Sequence, residues 1–367
     1  MLFTIPNFIT AHSGRAMLDI IERLDRHLFE PWICVQKRGG KLEKRAEDMG
    51  VPLLELPFTV KALPYPGLLF RAWNAAAKFR KYRFVLWHSF HYLDDYTEPL
   101  IARFSGASKW VYTKKNMSWN SRSWFLRTLF ASHVMAENKD MLKCFFDRSL
   151  FRKKTSLSPR GVDTEKYRPN AAVPMNIRGK LGIPRDSLLI CCTAHLIPIK
   201  GHQYLVRAVS RLGKDIHLVL AGREQHGAYA KSIRDLIRKL DLSGRVHLLG
   251  GISNIADLLG ETDVYVLPTI PPGEGCGVTT LEAMSAGRAC VVTDVPGSRD
   301  LITHGESGFL VPAEDSHNLS EALRRLIDSP ELREIMGKAA RQRAISHFSV
   351  EAEAKRHEAV YLELLRR

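Results

Sequence analysis

Short apolar and β-branched segments alternate with amphipathic helical segments along nearly the whole chain, in two successive series. Alternation of this kind predicts parallel sheets with helices on both faces. Helices are predicted, for example, at Ala16–Arg26 and Leu68–Tyr82. The predicted strands are Leu2–Ile5, Trp32–Gln36, Leu53–Leu56, Phe84–Trp87, Trp110–Thr113 and His133–Ala136, followed by Leu188–Thr193, His217–Leu220, Val246–Leu249, Val264–Leu267, Ala289–Thr293 and Phe309–Val311.

A Pro- and Gly-rich segment between Leu157 and Pro184 separates the two series. With 367 residues, the chain is too long for one ordinary domain and suits two domains of about 150–200 residues. The sequence therefore predicts an α/β protein with two Rossmann-like, doubly wound domains that face an interdomain cleft. We assign residues 1–168 to the first domain and residues 169–348 to the second. A C-terminal helix, 349–367, either caps the second domain or crosses back to the first.

Cysteine usage and hydropathy favour a cytoplasmic protein. None of the six cysteines belongs to a CxxC pair, so they are expected to be reduced thiols rather than a disulfide framework or a zinc site. The first residues lack the basic and apolar regions of a signal peptide. The longest uncharged apolar segment is too short to span a bilayer.

The formal net charge of +15 is concentrated in one part of the chain. Between Lys61 and Asn170, 21 Lys and Arg residues accompany only 8 Asp and Glu residues. Such a field attracts anions, so a solvated basic face, an anionic membrane or acceptor, and nucleic acid all stay open. Nucleic acid is disfavoured because no aromatic-rich basic motif or zinc spacing is present. We predict peripheral attachment to an anionic membrane, with Arg122–Arg127 at the interface.

The segment Pro268–Ala286, PTIPPGEGCGVTTLEAMSA, is the most informative part of the sequence. A predicted strand ends just before it, a Gly-rich loop follows, and a helix begins near Gly277. The N-terminus of such a helix combines unpaired backbone N–H groups with the positive end of the helix dipole, which favours phosphate. Glu282 is then placed in the second helical turn, where it can accept hydrogen bonds from ribose hydroxyls. Glu274 lies in the loop before the helix, on the side of the phosphates where a sugar attached to them would lie.

This segment resembles the retaining glycosyltransferases called group 1 or family 4, which have the GT-B fold. The shared pattern is two glutamates separated by seven residues, with LEAMSAG beginning at the residue before the second. The resemblance covers nearly the whole chain and is more specific in the second half. Further matching segments are NFITAHSGRAMLDI (7–20), LSPRGVDTEKYRP (157–169), TAHLIPIKGHQYLVRAV (193–209), HLVLAGRE (217–224), VHLLGGI (246–252), TDVYVLPT (262–269) and VVTDVPGSRDLITHGESGFLVP (291–312).

The resemblance implies that residues 1–168 form an acceptor-binding domain and residues 169–348 a nucleotide-sugar-binding domain. It also implies a role for several residues. Lys200 is expected to contact the donor diphosphate, Glu282 to bind the ribose and Glu274 to orient the transferred sugar. The other implied donor contacts are the backbone of Gly277, Val278 and Thr279 at the distal phosphate, the loop of Gly250, Gly251 and Ile252 at the nucleobase, and Gly14 in the first domain.

Three positions depart from the family pattern. His195 stands where Arg is usual, which weakens the phosphate clamp because His is charged only when protonated. Arg160 stands where Asn usually precedes the Gly-Val-Asp of the hinge. Lys114 or Lys115 lies roughly where many members have a His. The acceptor-side candidates are therefore His88, His91 and Lys115.

These features predict transfer, with retention at the anomeric carbon, from a UDP- or GDP-sugar to a glycan, a lipid-linked or a lipopolysaccharide-type acceptor. Neither a metal nor another cofactor is expected, because the chain has no Asp-x-Asp motif. Lys200, His195 and the helix N-terminus would stabilise the leaving diphosphate. A glycosidase would need two carboxylates flanking one bond and has no use for the phosphate-type glycines. A catalytically inactive nucleotide-sugar-binding protein is the other alternative, supported by His195 and Arg160.

Overall fold

Two separate parallel sheets form the frame of the protein. The computed structural model describes residues 1–9, 11–93, 95–118, 121–169 and 176–366. Contacts divide the chain into two units. The first contains Met1–Arg160 together with the C-terminal segment from Val350, and the second contains Gly161–Ser349.

The sheet of the first unit has seven parallel strands in the order β3-β2-β1-β4-β5-β6-β7. Since β1 and β4 are neighbours, the winding reverses between them, and the carboxyl ends of these strands form a topological switch point. The strands are β1 (Leu2–Ile5), β2 (Trp32–Val35), β3 (Leu53–Glu55), β4 (Leu86–Ser89), β5 (Lys109–Lys114), β6 (His133–Ala136) and β7 (Thr155–Leu157).

Helices connect these strands, and the C-terminal helix packs on the same unit. Tyr361 of that helix belongs to one apolar core with Phe3 and Ile5 of β1. The helices are α1 (Ala11–Arg23), α2 (Glu43–Asp48), α3 (Leu68–Ala77), α4 (Thr97–Phe104), α5 (Arg122–Phe130), α6 (Lys139–Met141), α7 (Ser149–Arg152) and, at the C-terminus, α15 (Val350–Arg366). A 3₁₀ turn at Arg80–Tyr82 and a π turn at Leu142–Phe146 complete the unit's helical segments within the described residues.

The second unit repeats the arrangement with six parallel strands in the order β10-β9-β8-β11-β12-β13. Its switch point lies between β8 and β11, which are again neighbours. The prediction of two doubly wound α/β units is therefore confirmed. The strands are β8 (Leu188–Thr193), β9 (Ile216–Ala221), β10 (Val246–Gly250), β11 (Val264–Leu267), β12 (Ala289–Thr293) and β13 (Phe309–Val311).

The helices of the second unit lie between and after its strands. They are α8 (Ile177–Leu181), α9 (His202–Val209), α10 (Gly227–Lys239), α11 (Ile255–Glu261), α12 (Val278–Ser285), α13 (Ser316–Asp328) and α14 (Pro330–Phe348), with a 3₁₀ turn at Pro198–Lys200. Among the residues that the structure describes, no helix has the length and apolar character needed to cross a membrane.

The structure moves some of the expected boundaries. The strand predicted at Phe84–Trp87 is Leu86–Ser89. The helix predicted to reach Tyr82 ends at Ala77, because the chain tightens into a 3₁₀ turn and then adopts a left-handed conformation at Arg83, with φ of 53°. The short strand β7 was not predicted from the sequence.

The segment after Arg160 also differs from its assigned domain. Residues 161–168 belong to the second unit, where the N–H of Val162 donates to the carbonyl of Phe348 at 2.7 Å. Ser285 Oγ donates to the carbonyl of Tyr167 at 2.6 Å. Arg160 itself stays in the first unit, in a buried ion pair with Glu353 of α15 at 2.9 Å. This pairing gives the unusual arginine a structural role.

Candidate functional site

Two predicted site residues from different segments meet at the switch point of the second sheet. Lys200 follows β8 and Glu274 follows β11. Lys200 Nζ donates to Glu274 Oε1 at 2.6 Å. Thr269 Oγ1 donates to the same oxygen, also at 2.6 Å. A lysine and a carboxylate therefore lie where open α/β sheets place their ligands.

The backbone around Gly201 explains how Lys200 reaches this position. Gly201 has φ of +64°, and a Cβ added there would lie 2.0 Å from the carbonyl oxygen of Pro268. The N–H of Ile270 donates to the carbonyl of Ile199 at 2.9 Å. Only glycine satisfies both the left-handed conformation and this close approach. The loop after β8 is thus held directly against the loop after β11.

The loop that carries Glu274 is also fixed from its other side. The N–H of Glu274 donates to the carbonyl of Pro296 at 2.9 Å. Gly297 has φ of +80°, and a Cβ there would lie 2.5 Å from the carbonyl oxygen of Glu274. These contacts hold the glutamate in place before any ligand binds, which is the preorganisation that a binding site needs.

Helix α12 begins immediately after this loop, with Gly277 at its N-cap position. Thr279 Oγ1 accepts a hydrogen bond from Tyr265 Oη of β11 at 2.7 Å, which fixes the first turn on the sheet. The N–H of Val278 donates to the carbonyl of Cys276 at 2.8 Å. Of the three backbone positions predicted at the phosphate, Val278 thus already has a loop partner. The phosphate contacts themselves stay predictions.

Glu282 lies in the second turn of α12, as the sequence predicts, and its residue exposure is only 4%. Burying an ionised carboxylate is costly unless hydrogen bonds compensate it. A buried glutamate on this helix can accept hydrogen bonds from a polar group of a ligand. The contact of Glu282 with ribose stays a prediction.

His195 lies at the end of β8, beside two basic side chains. Burial lowers its pKa from the usual value, and the nearby charges of Lys200 and Arg223 lower it further. The N–H of Leu196 donates to the carbonyl of Arg223 at 3.0 Å, which joins the loops after β8 and β9. Burial and both neighbouring charges thus favour the neutral form of His195 in the free protein.

Arg223 was not among the predicted site residues. It follows β9 in the segment HLVLAGRE, where its position after a strand end was the only signal. A Cβ added to Gly251 would lie 2.8 Å from Arg223 Cγ. The carbonyl of Gly250 accepts from the N–H of Gly222 at 2.8 Å. The loop of Gly250, Gly251 and Ile252 thus lies at the same sheet edge as Lys200, and its role at a nucleobase stays a prediction.

The two histidine candidates of the first unit are core residues. His88 Nδ1 lies 2.5 Å from Tyr361 Oη and its Nε2 lies 2.9 Å from Thr113 Oγ1, and burial holds the pKa of His88 well below its usual value. His91 Nε2 lies 2.7 Å from a carboxylate oxygen of Glu98, and its Nδ1 accepts from the N–H of Leu93. All four ring nitrogens thus have protein partners, and both side chains are buried. The structure therefore gives these two histidines a role in the core of the first unit rather than a surface for an acceptor.

The remaining candidates of the first unit are also engaged. Lys115 is buried and its Nζ donates to the carbonyl of Phe90 at 2.8 Å. Burial lowers the pKa of Lys115 to about 7, whereas burial raises the pKa of the nearby Glu137 to about 7. Gly14 lies in α1, where an added Cβ would be 3.1 Å from Leu42 Cδ1. Lys114 donates to the carbonyl of Ser118 at 2.6 Å. Neither of the two lysine hydrogen bonds was predicted from the sequence, and the role of Gly14 near the donor stays a prediction.

The predicted membrane contact at Arg122–Arg127 does not fit the structure. Trp124 and Arg127 of this segment are buried. Arg127 Nη2 donates to Ser89 Oγ at 2.6 Å and lies 3.5 Å from Glu98 Oε2. Burial alone would raise the pKa of Glu98, but His91, Arg127 and several hydrogen bonds outweigh it and lower the pKa to about 2. Arg127 therefore belongs to an internal charged network, and Trp124 is buried beside it rather than placed at an interface.

Comparison with known proteins identifies relatives of part of the chain. Residues 175–343 match the family described as "Glycosyl transferases group 1". A UDP-Gal:alpha-D-GlcNAc-diphosphoundecaprenol alpha-1,3-galactosyltransferase of Escherichia coli is 28% identical over 239 residues, which cover 63% of this chain and 60% of the relative. A lipopolysaccharide core biosynthesis mannosyltransferase of Rhizobium leguminosarum is 31% identical over 210 residues, 56% of this chain and 58% of the relative. The chain thus spans less than two thirds of these relatives.

The whole chain also resembles solved structures. A glycosyltransferase from Rickettsia africae superimposes with a TM-score of 0.89, covering 100% of this chain and 98% of that protein, at 21% sequence identity. A likeness at this level of identity shows that the fold is shared.

Proposed function

We propose that the protein transfers a sugar from a nucleoside-diphosphate donor to an acceptor hydroxyl group, because residues 175–343 match the group 1 glycosyltransferases. The observation that carries this proposal is the contact of Lys200 with Glu274 at the switch point of the second sheet. At the bond that breaks, the lysine cation can stabilise the negative charge of the diphosphate. The carboxylate can accept hydrogen bonds from the sugar hydroxyl groups.

The proposed reaction retains the configuration of the anomeric carbon. The bond between that carbon and the diphosphate breaks, and the diphosphate leaves with the electron pair. The acceptor oxygen forms the new bond on the same face, and its proton passes to an oxygen of the leaving phosphate. Lys200 and the N-terminus of α12 stabilise the charge that develops on the diphosphate. Glu274 orients the sugar, and no side chain forms a covalent intermediate.

We propose a glycan, lipid-linked or lipopolysaccharide-type acceptor, and attachment of the protein to the cytoplasmic face of the membrane. Support comes from the two relatives described above, one named for a diphosphoundecaprenol substrate and the other for lipopolysaccharide core biosynthesis. The excess of Lys and Arg between 61 and 170 suits phosphorylated or otherwise anionic acceptors.

Donor binding followed by turnover tests the proposal. UDP-glucose, UDP-N-acetylglucosamine, GDP-mannose and ADP-glucose are compared by thermal shift, and the best ligand is assayed for nucleoside-diphosphate release with and without an acceptor. NMR of the product then reports the anomeric configuration. We expect one donor to stabilise the protein and to turn over. Binding without turnover would favour the inactive binding protein, and an inverted product would refute retention.

Turnover is expected to need no added metal. The chain has no Asp-x-Asp motif, and within the described residues no group of three or more His, Cys, Asp or Glu side chains is arranged to hold a metal ion. Lys200 and the helix N-terminus would supply the positive charge instead. We expect the rate of nucleoside-diphosphate release to be unchanged by EDTA. Loss of activity in EDTA with recovery on adding Mg²⁺ would contradict this mechanism.

Donor affinity is expected to depend on pH through His195. Its pKa is lowered in the free protein, and a bound diphosphate should raise it. Affinity should then be highest below the free pKa and fall as the pH rises through the pKa of the complex, by about 1.4 kcal/mol for each unit of difference. Calorimetry with the intact nucleotide sugar measures this profile.

The variant His195→Arg should flatten the profile between about pH 6 and 8, because Arg stays charged throughout. The variant His27→Arg adds the same charge on an exposed position of the first unit and serves as the control. Profiles of the same shape for wild type and His195→Arg would exclude His195 as the pH-sensitive phosphate ligand.

A further inference from the structure

A surface of the first unit exposes large apolar side chains from one loop and one helix. Leu63 and Tyr65 belong to the loop, and Leu69, Phe70 and Trp73 belong to α3. We call these five residues the apolar patch. Their relative exposures lie between 50% for Trp73 and 68% for Phe70. Large exposed apolar areas are uncommon on soluble proteins and mark contact surfaces.

Helix α3 carries apolar side chains on its exposed side as well as on its buried side. Its inner face buries Leu68, Ala72, Ala75 and Ala76, with the spacing expected for one helical face. The opposite side exposes Leu69, Phe70 and Trp73, so that the polar residues expected there are largely replaced by apolar ones. Packing within the first unit therefore explains the apolar residues on the inner face of α3 but not those on its exposed side.

The loop is held in place beside the helix. The guanidinium group of Arg71 donates to four backbone carbonyl groups of the loop, at distances from 2.6 to 3.3 Å. They are those of Lys61, Ala62, Pro64 and Pro66. Arg80 Cζ lies 3.8 Å from the centre of a Trp73 ring. The loop and the helix are thus joined by several contacts, and the patch is already formed in the isolated chain.

The surroundings of the patch are basic. Residues 57–93 contain six Lys or Arg residues and not one Asp or Glu. Lys61, Lys78, Lys81 and Arg83 are exposed. A surface that combines aromatic and aliphatic side chains with basic residues matches the boundary between acyl chains and anionic headgroups.

We propose that the apolar patch docks onto an anionic lipid bilayer, with Leu69 and Phe70 entering the interface and the surrounding lysines contacting headgroups. This inference builds on the proposed membrane attachment and replaces the segment Arg122–Arg127 as its contact surface. Charge decides the occupant, because the segment that carries the patch, residues 57–93, has six basic residues and no acidic one and so complements anionic headgroups.

Flotation of the full chain with vesicles tests the proposal. The vesicles are phosphatidylcholine with or without phosphatidylglycerol, at low and high salt. We expect flotation only with the anionic vesicles, and less of it at high salt. The variant Leu69→Gln/Phe70→Gln keeps good helix formers and should bind about tenfold more weakly or worse. The variant Lys78→Glu/Lys81→Glu should lose binding at low salt.

The control variant is Leu150→Gln/Ile335→Gln, which removes two apolar side chains that are also more than half exposed, elsewhere on the protein. It should float like wild type. Equal binding by wild type and Leu69→Gln/Phe70→Gln, or binding that ignores lipid charge, would overturn the proposal. A change from dimer to monomer in that variant, seen by sedimentation of the protein alone, would assign the patch to self-association instead. The thermal shift with nucleotide sugars, measured on each variant, reports separately on the proposed donor site.

Discussion

Replacing Lys200 with alanine is expected to lower the turnover number about 100- to 1000-fold, with a much smaller change in the Michaelis constant for the donor. The charge on the departing diphosphate grows as the sugar–phosphate bond breaks, so a lysine at this bond interacts more strongly with the transition state than with the bound donor. Initial rates of nucleoside-diphosphate release across donor concentrations give both constants.

Two further variants make this result specific. Lys200→Arg keeps the charge and should retain part of the activity, although the guanidinium group differs in shape from an ammonium group. Lys231→Ala removes an exposed lysine of α10 that pairs with Asp235 and should leave both constants unchanged. A higher Michaelis constant with an unaltered turnover number in Lys200→Ala would exclude the leaving-group role.

The ion pair with Glu274 requires one more measurement. Removing Lys200 leaves a partly buried carboxylate without its cation, since the side chain of Glu274 is only 13% exposed. Part of the lost activity could therefore come from a displaced loop. Thermal unfolding of Lys200→Ala without donor measures this effect, and an unfolding temperature close to that of wild type leaves the leaving group as the cause.

The strands of the second unit were predicted well because their sequences carry a strong local signal. Leu188–Thr193 and Val264–Leu267 are continuous apolar segments bounded by polar or turn residues, as expected for strands buried on both faces. Lys200 and Glu274 are 74 residues apart, yet their meeting follows from topology. Each lies beyond the end of a strand at the switch point of the sheet.

Residues that depend on distant partners were not predictable in this way. His88 was a candidate because it lies at a strand end, but Tyr361, 273 residues away, occupies one of its ring nitrogens. Arg127 was expected at the surface, because sequence alone gives no sign that Ser89 and Glu98 would accompany it into the core. Burial of charge depends on a partner that local periodicity cannot identify.

Replacing Glu282 with alanine is expected to weaken binding of the nucleoside diphosphate by about 1.5–3 kcal/mol, roughly 10- to 150-fold in the dissociation constant. A charged carboxylate on a buried helical turn is a strong acceptor for ribose hydroxyl groups. Calorimetry measures this loss with UDP or GDP, whichever gives the larger thermal shift. The variant Glu331→Ala removes a glutamate from the first turn of α14 and should bind like wild type.

Deoxynucleotides separate a ribose contact from a general loss of structure at Glu282. If the carboxylate accepts hydrogen bonds from ribose, then removing a hydroxyl group from the ligand and removing the carboxylate from the protein delete the same interaction. The 2′-deoxy or the 3′-deoxy form of the nucleotide should therefore bind wild type more weakly, and Glu282→Ala should weaken its binding little further. Additive losses for both deoxy forms would show that Glu282 acts without contacting ribose. In that case its effect on binding would come from its place in the buried turn of α12.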